Sequence, residues 1–89
     1  MSETSKVALI TGSSRGIGAA LAQRLAGEGF RVIVNYAGSA GPAAAVVASI
    51  EAAGGQALAL QADVADPVAV GVMFEEVERA FQGIDVVVN

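Results

Sequence analysis

Cysteine and histidine are both absent from this 89-residue sequence, tryptophan is absent too, and one tyrosine and three phenylalanines are its only aromatic residues. Without cysteine there is no disulfide scaffold and no thiolate-held zinc or iron-sulfur site; without histidine the commonest metal ligand and the usual general base are missing. Neither a metal centre nor a Ser-His-Asp arrangement is expected. Positive charge is also scarce. Five Lys and Arg stand against nine Asp and Glu, for a net charge of −4, and the basic residues are scattered from Lys6 to Arg79. That argues against a grip on a nucleic-acid phosphate backbone and makes nucleic acid a poor partner. Long apolar runs are lacking as well. The longest, Ala43 to Ala48, falls far short of the roughly 20 residues that span a bilayer, so no membrane segment is expected. The four apolar residues Val7–Ile10 after Lys6 are too few for a secretory signal, and the expected location is cytoplasmic.

What is present describes a packed interior. The chain is 54% hydrophobic and only 16% charged, which rules out disorder. Ala and Val dominate, a composition suited to helices lying tightly on a sheet. Lys6–Thr11 reads as a first, buried strand. Ile17, Leu21 and Leu25 then recur on one face of a first helix that closes at Gly27 and Gly29. Arg31–Tyr36 is a second strand, β-branched at its centre. A second helix, with Pro42 in its first turn and Ala43, Val46, Val47 and Ile50 inward, runs to about Ala53 and ends at Gly54-Gly55. Gln56–Gln61 is a third strand. Asp66-Pro67 reads as an N-cap followed by proline at the first helical position. It opens a third helix whose expected core stripe is Val70, Phe74, Val77 and Phe81, with Glu75, Glu76 and Glu78 on its solvated side. Asp85–Asn89 begins a fourth strand. No repeat, low-complexity linker or domain boundary interrupts this order.

Strands alternating with helices imply a parallel sheet with right-handed crossovers. The expected fold is α/β, a Rossmann-type doubly wound parallel sheet of strand order 3-2-1-4. Strand four would then be an edge showing Val86, Val87 and Val88. Residues 1–89 are thus expected to form the N-terminal part of a single domain of this fold, truncated after strand four.

Thr11-Gly12-Ser13-Ser14-Arg15-Gly16-Ile17-Gly18 lies between the first strand and the first helix. Phosphate binding needs what such a place supplies: free N–H groups, the positive end of a helix dipole, and glycines that admit a pyrophosphate. Gly12 is assigned the tight turn, Gly16 the space for a cofactor, and Gly18 the close approach of helix to sheet, while Ser13 and Ser14 can add hydroxyl donors. The competing reading is a connector chosen for turn geometry alone. A Walker loop is excluded, because no Gly-Lys-Ser/Thr follows at the required spacing.

This Thr-Gly-x-x-x-Gly-x-Gly spacing resembles the short-chain dehydrogenase/reductase family, and three further segments agree with it in order and distance: Asn35-Tyr36, Asp63-Val64, and Asp85–Asn89, which is similar to the start of an Asn-Asn-Ala-Gly motif. The resemblance covers the whole chain. Within the family, Ser13–Gly18 and the Asn-Tyr ending are most similar to 3-oxoacyl-acyl-carrier-protein reductases. The resemblance implies a nicotinamide cofactor held by Gly12, Ser13, Ser14, Arg15, Gly16, Ile17, Gly18, Asn35, Tyr36, Ser39, Asp63, Val64 and Asn89, and a homotetramer as the complete protein. Asp63 resembles the family's adenine contact and Asn89 the first Asn of its motif. The competing readings are a turn-capping carboxylate for Asp63, compatible with the contact, and a strand-terminal asparagine for Asn89.

The cofactor expected is NADP. An NAD site places Asp or Glu at the end of the second strand for the ribose 2′-hydroxyl, whereas Asn35 and Tyr36 stand there. Arg15 is placed to pair with a phosphate, and Asn35 and Ser39 can donate hydrogen bonds. Against this, Arg15 reads as a solvated surface residue and Tyr36 as an aromatic packed at the sheet edge. The resemblance further implies reduction of a small-molecule carbonyl by hydride, with a Ser and a Tyr-x-x-x-Lys pair acting after the fourth strand. The sequence contains no such pair, so no catalytic residue is assigned. A nucleotide-binding or interaction module without catalysis is the alternative reading.

Overall fold

The computed structural model describes residues 6–88. Four strands form from short apolar runs, rich in Val and Ile in β1 (Val7–Ile10), β2 (Arg31–Tyr36) and β4 (Val86–Val88) and alternating Ala and Leu in β3 (Gln56–Gln61). Three helices fill the intervals, α1 (Gly16–Gly27), α2 (Ala40–Ala52) and α3 (Pro67–Phe81). The strands are parallel and ordered β3-β2-β1-β4, so this is the doubly wound sheet that the alternation of elements implies. The chain steps outward from β1 to β2 and β3, then crosses back to place β4 on the other side of β1. Val7 pairs with Arg31, Arg31 with Gln56, and Ala8 with Val86.

Side chains alternate across a strand, and the core divides accordingly. Ile10, Val32 and Val34 meet Ala22 of α1 and Ala43, Val46 and Ile50 of α2 on one face. Val7, Leu9 and Ile33 meet Met73 and Val77 of α3 on the other. β1 and the centre of β2 are thus covered on both sides. β3 is not. It is only partly buried along its centre and exposed at both ends, as suits the edge strand that the order 3-2-1-4 makes it.

Two helical faces differ from their sequence readings. In α3 the row Ala69, Met73, Val77 and Phe81 packs toward the sheet, and Phe74 is 40% exposed. Both rows pass through Val77 and Phe81, so apolar spacing alone fits either, and the flexible Met73 rather than the ring fills the site beneath β2. In α1, Ile17 is 88% exposed while Ala22 is buried. Ile17 lies in the first turn of its helix, at the end that follows the glycine turn.

The helix ends follow from their sequences. Asp66 Oδ1 accepts from the N–H groups of Val68 and Ala69, capping α3 just before Pro67. At the sheet edge Val86 and Val87 are exposed, whereas Val88 is partly buried against the α1–α2 side of the core. Among the described residues no helix is long and apolar enough to cross a membrane.

Candidate cofactor site at the carboxyl edge of the sheet

Because all four strands run the same way, the β1–α1 turn, the β2–α2 loop and the β3–α3 loop gather at one edge of the sheet. This is the edge, beside the reversal of strand order, where doubly wound sheets take ligands. The β1–α1 turn has a left-handed backbone at Gly12 (φ 60°) and Gly16 (φ 57°), a conformation that side chains rarely adopt. Gly18 is required for a different reason. A Cβ there would lie 2.7 Å from the Gly12 carbonyl oxygen and 2.9 Å from the Ser13 Cα, so the close approach it permits is of helix to turn, not of helix to sheet.

Two candidate ligand donors have another use. Ser13 is fully buried: its hydroxyl donates to the Ile10 carbonyl at 2.7 Å and accepts from the Asn35 N–H at 3.1 Å. Asn35 is 2% exposed. Its Oδ1 accepts from the Gly12 N–H at 3.1 Å, and its Nδ2 donates to the carbonyls of Ala62 at 3.1 Å and Leu60 at 3.4 Å. The Ser13 N–H in turn donates to the Asn35 carbonyl at 3.0 Å. Neither side chain is free to reach a phosphate. Together they clamp the turn after β1 to β2 and, through Asn35, to the end of β3.

The donors left for an anion lie in the second half of the turn. The N–H groups of Gly16, Ile17 and Gly18 are the first three of α1 and have no intrahelical acceptor in helix geometry. Arg15 stands at the N-cap with an extended backbone and an exposed side chain, and Ser14 beside it is half-buried. A Cβ built on Gly16 meets nothing within 4 Å, so a ligand can approach the backbone there. The exposed Ile17 is the apolar surface beside it. Dipole, N–H groups, an adjacent guanidinium and an unfilled approach fit a pyrophosphate-bearing nucleotide.

At the end of β2, Tyr36 is half-buried and packs against the α1–α2 side of the core. Ser39 is exposed at the α2 N-cap, its side chain making no capping bond among the described residues. Beyond β3, Asp63 and Val64 are exposed. One Asp63 oxygen accepts from the Ala65 N–H at 2.9 Å, the turn-capping role, which leaves its second oxygen for another donor. Asn89 lies outside the described residues. Sequence reasoning passed over Gln61, whose Nε2 donates to the Ala37 carbonyl at 3.1 Å and the Gly38 carbonyl at 3.5 Å. Only its place as the last residue of β3 pointed there. Thr11, which sequence reasoning names only as the first residue of the motif, has its own role: its N–H and hydroxyl both donate to the Val88 carbonyl and tie β4 to the turn.

A sheet of this order with such a turn defines a dinucleotide-binding fold of Rossmann type. The family model for short chain dehydrogenases matches residues 6–89, and the chain belongs to that family. It is 52% identical over 84 residues to a 3-oxoacyl-acyl-carrier-protein reductase of Staphylococcus aureus, covering 94% of this chain and 34% of the relative. A reductase of the same name from Synechocystis is 51% identical over 86 residues, covering 97% and 35%. Among solved structures, a short chain dehydrogenase from Burkholderia cenocepacia in complex with NADP superposes with a TM-score of 0.89 at 56% identity, over 97% of this chain and 35% of that one. A short-chain dehydrogenase/reductase from Serratia marcescens gives 0.90 at 43% identity, over 94% and 34%. The chain spans about a third of the length of the relatives it matches.

Proposed function

We propose that this chain forms the N-terminal, cofactor-binding part of a single NAD(P)-binding domain, in an NADP-dependent oxidoreductase that reduces a carbonyl to an alcohol. The observation that carries the NADP reading is the charge pattern at the carboxyl edge. Arg15 is exposed at the start of α1, Ser39 is exposed at the start of α2, and the last residues of β2 are Asn35 and Tyr36 with no carboxylate. An acidic residue at that place would repel a 2′-phosphate; a guanidinium attracts it. The Burkholderia cenocepacia structure, which contains NADP, supports the same reading.

In this reading the N–H groups of Gly16–Gly18 and the Ser14 hydroxyl hold the pyrophosphate, and Arg15 and Ser39 hold the 2′-phosphate. Tyr36, Asp63 and Val64 flank the adenosine. Ser13 and Asn35 act one step back, by fixing the turn. NADPH, when bound, supplies the hydride. The substrate class favoured is a 3-oxoacyl thioester or a similar ketone, on the strength of the names of the relatives.

The test is titration of NADPH and NADH against the whole protein and its Arg15→Ala variant, with NADPH oxidation followed on a 3-oxoacyl thioester. A charge-assisted contact is worth roughly 1.5–3 kcal/mol, so the variant is expected to lose tenfold or more for NADPH and little for NADH. Equal losses for both would remove the 2′-phosphate role. Binding without turnover on any ketone would favour a non-catalytic nucleotide-binding module.

A further inference from the structure

We propose that Gln61 is a positioning residue that gives the β2–α2 loop its preference for a 2′-phosphate over a bare 2′-hydroxyl; this rests on the NADP reading above. Gln61 is the last residue of β3 and pairs in register with Tyr36, the last residue of β2. Its side chain takes no part in either core cluster. Instead, its Nε2 reaches across the edge and donates to two successive carbonyls, those of Ala37 and Gly38.

This contact sets the direction of the loop's donors. In a planar trans peptide the C=O and N–H point opposite ways. Holding the Ala37 and Gly38 carbonyls toward Gln61 therefore turns the N–H groups of Gly38 and Ser39 away from β3. With the order β3-β2-β1, that is the side on which the Gly12–Gly18 turn and Arg15 lie. Ser39 is also the N-cap of α2, and Pro42 in the first turn of that helix has no N–H to offer. The polar groups of this loop that can meet a phosphate are thus concentrated at Gly38–Gly41, in the stretch whose orientation Gln61 fixes. Ala37, Gly38 and Ser39 are all exposed, and an exposed loop centred on glycine is costly to order at the moment of binding unless something holds it beforehand.

The effect should be confined to one part of the ligand. In the NADP reading, pyrophosphate and adenine are assigned to the Ser14–Gly18 and Asp63–Val64 segments, and the 2′-substituent is the part assigned to the loop that Gln61 holds. The experiment is calorimetric titration of 2′,5′-ADP and of 5′-AMP against the whole protein carrying this chain, and against its Gln61→Met variant, which has similar length and no donor. Wild type is expected to prefer 2′,5′-ADP. The variant is expected to lose about five- to tenfold for 2′,5′-ADP, the range for one neutral hydrogen bond and the ordering it prevents, with 5′-AMP changed less than twofold. A wild-type preference that survives unchanged in Gln61→Met, or equal losses for both ligands, would overturn the proposal and leave the NADP reading standing. A wild type with no preference would overturn both.

Discussion

The two ends of the sheet use polar residues in opposite ways. At the amino edge, charged side chains hold the elements together. Asp85 accepts from the Val7 N–H at 2.8 Å, and Arg31 lies 4.8 Å from the centre of the Phe81 ring while its Nη2 donates to the Phe81 carbonyl. These contacts fasten the end of α3 and the start of β4 to β1 and β2. At the carboxyl edge the glycine turn is fastened by neutral groups, the buried Ser13 and Asn35; Arg15 stays exposed, and the exposed carboxylates of Asp63 and Asp66 cap only the β3–α3 loop and the start of α3. A site for an anionic nucleotide gains from that division. Neutral hydrogen bonds make the turn rigid without placing a fixed charge beside the phosphates, and the guanidinium stays available for the ligand.

The largest effect expected is at Asn35, the residue on which this comparison rests. Asn35→Ala leaves the part-buried Gly12 N–H and the buried Ala62 carbonyl without their side-chain partner, at a cost of roughly 2–4 kcal/mol. Urea unfolding of the two forms measures it. A loss below about 0.5 kcal/mol, the range of ordinary surface changes, would mean that water replaces the side chain and that the turn is not clamped. Tyr36→Asp comes next. A carboxylate at the end of β2 can accept from a 2′-hydroxyl and repels a 2′-phosphate, so the ratio of the NADPH and NADH dissociation constants is expected to move toward NADH by about tenfold or more. An unchanged ratio would show that β2 does not end beside the ribose. At the opposite edge, Asp85→Ala removes the acceptor of the Val7 N–H and is expected to cost about 1 kcal/mol of stability, with NADPH affinity unaltered. A change in affinity there would break the separation of the two edges.

Much of this arrangement is legible in the sequence because each element is marked by its own residues. β2 and β3 occupy the segments that their apolar and β-branched runs define, and Asp66-Pro67 marks the start of α3. The glycine turn is legible from its spacing. The partners of its side chains are not. Ser13 and Asn35 are donors by type, and nothing local distinguishes a donor aimed at a ligand from one aimed inward. Apart from the Ile10 carbonyl, three residues before Ser13, their backbone partners lie 22 to 27 residues away in the chain, so their role appears only once β1, β2 and β3 are side by side. Met73 and Phe74 illustrate a second limit. Apolar period places the face of α3 to within about one residue, and the register against β2 decides which of the two is covered.

The smallest effect sharpens the comparison at the amino edge, where α3 ends. Gln82 has a left-handed backbone (φ 64°) at the C-cap of that helix, and Gly83 follows with φ 132°. The Gln82 N–H donates to the Glu78 carbonyl at 2.9 Å, so the backbone holds this conformation for the sake of the helix end. A residue with a Cβ pays roughly 1–2 kcal/mol for it, and glycine does not. Glycine in turn loses more freedom on folding, by roughly 0.5–1 kcal/mol. The first term exceeds the second, so Gln82→Gly is expected to stabilise the fold by about 0.5–1 kcal/mol. Gln82 is exposed, and no packing is lost to offset that gain. Cofactor affinity should not move, since the substitution lies at the end of the sheet away from the glycine turn. Thermal unfolding of the whole protein with and without NADPH reads both quantities. A destabilised variant would show that the Gln82 side chain makes a contact which outweighs its strained backbone.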